Sequence, residues 1–96
     1  MFVTFLTFTD KRASAAAAMA AHKDWIAQGF ADGVFLCAGS LDGGTGGAIL
    51  AAGESREAYE ARLQADPFVA QGIVTAATRE IDPQRTIPAL AGAIAA

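Results

Sequence analysis

A chain of 96 residues fits one domain and cannot hold two cores. Alanine inflates the apolar fraction of 53%, so large core side chains are scarce and a partner surface is the expected source of extra burial. A net charge of −3 without any basic run argues against a nucleic-acid ligand, and the apolar tail Ile87 to Ala96 is about half as long as a bilayer span requires.

Phe2 to Phe8 carries β-branched and aromatic side chains on both parities, which predicts a central strand covered on both faces. After the polar break Thr9 to Arg12, Ser14 is placed to cap a helix running to about Phe30, with Ala15, Met19, His22 and Ile26 on one stripe. Gly29 and Gly33 bracket its exit. Val34 to Ala38 is a second apolar run of strand length, and the turn Asp42-Gly43-Gly44-Thr45-Gly46 leads into a third strand, Gly47 to Ala52. Those glycines are not a phosphate loop, because no Gly-Lys-Ser/Thr follows and the next element is a strand. Ser55 then caps a second helix with Tyr59 and Leu63 inward and Arg56, Glu57, Glu60 and Arg62 on the wet side, ending near Ala65. Asp66-Pro67-Phe68 opens a turn or short helix that Gly72 closes, and Asp66 before Pro67 has the pattern of an N-cap with proline at the first helical position. Ile73 to Ile81 is the fourth strand, and Asp82-Pro83 ends the fold.

The order is β-α-β-β-α-β, a ferredoxin-like α+β arrangement with both helices on one face of an antiparallel sheet. The domain is expected over residues 1–83, with 84–96 as a tail. The second face of the sheet then lacks a cover, and a homodimer through that face is favoured over the tail folding back, since the tail is mostly alanine and glycine.

His22 is the one histidine of the chain and interrupts an alanine-rich helix where packing does not need an imidazole. Histidine is the side chain whose unperturbed charge change falls nearest physiological pH, which makes this residue the first candidate for moving protons. Cys37 has no second thiol, so no internal disulfide is possible, and it reads as a core residue of a protein kept reduced. No basic leader precedes the apolar start, and a cytoplasmic location is expected. One histidine and too few acids near it make a closed metal site a poor expectation, and no cofactor is expected.

Taken in this order, the residues resemble the YCII-related (YciI-like) family. The likeness runs from Thr9-Asp10-Lys11 through His22 with Trp25-Ile26, then Gly29, Gly33 and Ala38-Gly39. It continues through Gly46-Gly47-Ala48-Ile49, Ser55, Glu57 and Ala58, the stretch Ala65-Asp66-Pro67-Phe68-Val69-Ala70-Gln71-Gly72, and Glu80-Ile81-Asp82-Pro83. The resemblance implies a dimeric ferredoxin-like α+β barrel and an active site made of a histidine and an aspartate, which fall here on His22 and Asp66. Most members have no established reaction. Relatives often carry Gly-Pro where this chain has Gly39-Ser40, so the pocket rim is expected to differ.

In a β-α-β-β-α-β chain one end of the sheet gathers Arg12, Gly39, Ser40, Gly47 and Asp66. His22 lies roughly 12 Å along its helix, at 1.5 Å per residue, so the Asp66 loop has to dip to reach it. Such a pair suits general acid/base work on a small organic molecule, of lyase or isomerase type, with backbone N–H groups near Gly39 and Ser40 steadying an oxyanion. Ser40, Gly39 and Arg12 are the candidate substrate contacts, Arg12 for an anionic group. Trp25 and Phe68 read as packing residues. The alternative is a non-catalytic dimeric module that binds a small ligand or supports another protein; RNA binding on the open sheet fails on charge and exposed aromatics.

Overall fold

The computed structural model describes residues 1–95. Strand β1 (Phe2–Phe8) leads through a 3-10 turn at Arg12–Ser14 into helix α1 (Ala15–Ala31). Strands β2 (Phe35–Leu41) and β3 (Gly46–Ala51) follow, then α2 (Arg56–Gln64), the short α3 (Pro67–Ala70), strand β4 (Val74–Glu80) and α4 (Pro88–Ala95). The four strands form one sheet in the order β2-β3-β1-β4 with every neighbouring pair antiparallel. This is the ferredoxin-like order read from the sequence, with α1 and α2 layered on one face.

Strand parity decides which residues meet the helices. On β1, Phe2, Thr4 and Leu6 are buried while Val3, Phe5 and Thr7 face the other way and are more open. The helix-side core holds Phe2, Leu6, Phe35, Ile49, Tyr59, Leu63, Phe68 and Ile73, each less than 9% exposed. Phe2 and Tyr59 stack at 4.7 Å between centroids, which fixes α2 over β1. Small residues let α1 approach the sheet closely: Ala15, Ala18 and Gly29 are its buried positions. A Cβ at Gly29 would clash with the ring of Phe35, so glycine is required where α1 crosses β2.

Several local expectations are corrected. Ser14 does not cap α1, since its side chain makes no cap hydrogen bond; the 3-10 turn replaces the cap. Strand β2 continues past Ala38 to Leu41, because backbone pairing of Gly39 with Ala48 and Ser40 with Gly47 needs no branched side chain. Cys37 is not core: the irregularity between Phe35 and Cys37 shifts the alternation and leaves Cys37 exposed. The tail forms α4, and among the described residues Phe5 on the second sheet face stays 37% exposed and Ile87, just ahead of α4, 64% exposed. No helix is long and apolar enough to cross a membrane among the described residues.

Candidate active site

The Asp66 turn does dip to His22. Asp66 caps α3 as its sequence pattern suggests: its Oδ1 accepts the N–H of Phe68 at 3.1 Å, with Pro67 at the first helical position and the Ala70 N–H returning to the Asp66 carbonyl at 2.8 Å. The cap turns the carboxylate toward α1, against which α3 packs, and Oδ1 also accepts from Nδ1 of His22 at 2.7 Å. Both bonds fall on one oxygen. Asp66 is fully buried, and its Oδ2 has no hydrogen-bond partner among the described residues.

Where the carboxylate is ionised it can only accept, which puts the proton of this bond on Nδ1 and leaves the lone pair of a neutral ring on Nε2. The ring is clamped as well as tethered. It lies flat on Phe68, 3.9 Å between centroids and 3° between planes, with Trp25 at 6.0 Å on the same helix. The His22 side chain is 12% exposed, and that exposure opens into a hollow of about 450 Å³ between α1 and the sheet, toward the lower end of the roughly 300–1,000 Å³ typical of small-molecule sites.

The hollow exists because the sheet beneath it offers little bulk. Ala38, Gly39, Ser40 and Gly47 form its floor where larger side chains would have met Met19 and Ile26 of α1. Leu6, Phe8 and Phe68 complete the apolar wall. All the sequence candidates gather here: His22, Gly39, Ser40 and Arg12 line the hollow, and Asp66 stands behind His22. Gly39 and Ser40 lie inside the β2–β3 ladder, which turns one of their two N–H groups toward β3, so a two-donor oxyanion cradle is not formed there. Arg12 is held at the rim: its guanidinium donates to the Gly44 carbonyl at 3.0 Å and sits 4.6 Å over the Phe8 ring.

Sequence reasoning missed Lys23, which lines the hollow beside His22, and undervalued Phe68, which is both a buried core residue and the surface carrying the imidazole. Adjacency to His22 was the available signal for the first, adjacency to Asp66-Pro67 for the second. Trp25 is a packing residue as expected: its indole lies edge-on to Phe35 and its N–H donates to the Arg62 carbonyl at 2.9 Å, tying α1 to α2. Among the described residues no three His, Cys, Asp or Glu side chains converge as a metal cluster would require.

A family model described as the YCII-related domain matches residues 1–81. Among solved structures, the fold is similar to 5-chloro-2-hydroxyhydroquinone dehydrochlorinase (TftG) from Burkholderia phenoliruptrix AC1100 in complex with 2,5-dihydroxybenzoquinone, at TM-score 0.72 and 16% identity over 84% of this chain and 92% of that one. At that identity the likeness is one of fold. No curated protein matches the sequence.

Proposed function

The chain belongs to the YCII-related family, and on that premise we propose that it is a small homodimeric enzyme of the cytoplasm in which His22 moves a proton on a small organic molecule. The observation that carries this is the 2.7 Å bond from His22 Nδ1 to a buried Asp66 carboxylate, in a ring whose other edge meets a hollow. Asp66 holds the tautomer and steadies the imidazolium once Nε2 has taken a proton from a C–H or O–H of the substrate. The electron pair of a broken C–H bond then forms a double bond as a leaving group departs with its own pair, or the proton returns at another atom; the first outcome is a lyase, the second an isomerase. No cofactor enters this scheme. The likeness in fold to a protein named a dehydrochlorinase and bound to a hydroxylated quinone supports eliminations of that kind and ligands of about one ring.

The test is proton exchange in D2O on compounds found by a metabolite screen. General acid/base catalysis contributes about 10²–10⁴-fold, so His22→Ala and Asp66→Asn should each lower exchange by at least about 100-fold. Asparagine caps nearly as well as aspartate, so Asp66→Asn should keep its melting temperature within a few degrees while losing the charge. Exchange that survives in His22→Ala would overturn the proposal. Binding by the wild type with no exchange would leave the hollow a ligand site only.

A further inference from the structure

The charges that line the hollow all have one sign. In a chain of net charge −3, the hollow's charged lining side chains are Arg12 and Lys23, with His22 between them in the chain, while the nearest carboxylate, Asp66, is buried behind the imidazole and does not line it. The rest of the lining is overwhelmingly apolar, from Leu6, Met19, Ile26 and Phe30 to the ring of Phe68.

Arg12 differs from the two arginines of α2, which are held by carboxylates. Arg56 is paired with Glu60 and Glu80, and Arg62 with Glu54 and Asp32. Arg12 has a carbonyl and an aromatic face instead, among the described residues, and neither neutralises it. A guanidinium has five N–H donors in a rigid fork matched to a carboxylate, and one bond to Gly44 leaves most of them for a ligand. The aromatic wall gives the direction: Phe8 lies under Arg12 and tilts against Phe68 at 6.3 Å, and Phe68 carries the imidazole of His22. Arg12 and His22 therefore stand at the two ends of one apolar wall, bent by 52° between its two rings.

We propose that the hollow takes small planar organic anions, rings bearing a carboxylate or an ionised hydroxyl, and that Arg12 selects them by holding the negative group while the ring lies along the Phe8–Phe68 wall toward His22. This rests on the hollow being the site of proton transfer, and it names the substrate class. Lys23 adds to the local potential without the fork that fixes orientation, so its contribution is smaller.

The experiment is a chemical-shift titration with benzoate, benzamide and benzylamine, which differ mainly in the charge of one group. Benzoate is expected to bind most tightly, about tenfold more tightly than benzamide, with benzylamine weakest and the benzoate affinity falling as salt is raised. Arg12→Gln should cut benzoate affinity about tenfold and leave benzamide unchanged, and Arg12→Lys should restore part of it. Lys23→Gln should lower benzoate affinity by less. Arg12 is exposed, and circular dichroism of the variants checks that they fold. Equal affinities for benzoate and benzamide, no measurable benzoate binding, or benzoate binding that survives Arg12→Gln would each overturn the proposal. Binding is read without turnover, so loss of the acid/base assignment for His22 would show in exchange alone and not in these titrations.

Discussion

Tyr59 is fully buried on the helix side, and its phenol ties α2 to the sheet through a 2.6 Å hydrogen bond with the equally buried Thr4 hydroxyl, which in turn meets Thr78 at 2.9 Å. Burial raises its pKa, the bond to Thr4 opposing and the Glu54 charge adding to the effect. The folded state therefore holds the phenol proton more tightly than the unfolded chain, where ionisation falls near pH ~10. The resulting stability is present below that pH and is lost as pH rises through and beyond it. Tyr59 is the one tyrosine, so Tyr59→Phe isolates the effect. The variant should lose about 1 kcal/mol at neutral pH, the worth of one hydrogen bond, and its melting temperature should fall less steeply than the wild type's between pH 9 and 11. Parallel slopes in the two proteins would show that Tyr59 does not set the alkaline limit. At this scale the sequence was partly legible. His22 stood out as a lone imidazole on an alanine-rich helix, and Asp66 as a cap before proline, but nothing in a separation of 44 positions says that the two meet. Their pairing came from the family resemblance, because the approach depends on how α3 packs on α1.

Elements were legible where side chains announce them and were lost where the backbone acts alone. The strand β1 pattern and the cap Ser55, whose hydroxyl accepts the Ala58 N–H at 3.1 Å, follow from side-chain chemistry. The last three residues of β2 do not: Gly39-Ser40-Leu41 has little strand propensity and is held by its partner β3. Parity through β2 was equally hidden: Cys37 reads as core for want of a second thiol, and no residue type in Phe35-Leu36-Cys37 marks the irregularity that turns it outward. Gly29 is the reverse case, a residue that looks like a helix-ending glycine and is in fact a contact glycine inside α1. Gly29→Ala weighs two effects: alanine favours the helix by about 1 kcal/mol, while overpacking against a closed core costs about 1–3 kcal/mol. The ring of Phe35 is 3% exposed and packed edge-on by Trp25 and Phe30, so it has no room to yield. Overpacking should win, and thermal melting should show a drop of several degrees, at about 4–8 °C per kcal/mol for a domain of this size. A rise in melting temperature would mean that α1 shifts off β2 without penalty.

At the scale of the whole molecule, the two sheet faces are unequal. One carries the helices, the core and the hollow; the other presents Phe5 and Cys37, both exposed, with Val3 and Leu50 half-buried beside them. Phe5 sits near the middle of that face, opposite Ala48 on β3 and Ala77 on β4, and is 37% exposed. The floor of the hollow is the same sheet seen from its other side, with Gly39 and Ser40 alternating between the faces, so a second copy docked there would brace the floor without entering the site. If two copies share this face, Phe5→Glu places a carboxylate inside an apolar interface, where leaving a charge unpaired costs several kcal/mol, and the pair should separate. Light scattering on a sizing column should then find the wild type at about twice the chain mass of 9.8 kDa and the variant at one chain mass, with the monomer's helix signal retained. Benzoate titration of the separated chain distinguishes bracing from necessity: because one chain supplies the lining residues named above, binding should weaken only modestly. A wild type that runs as a single chain at micromolar concentration would remove the dimer from the proposal while leaving the His22–Asp66 site intact.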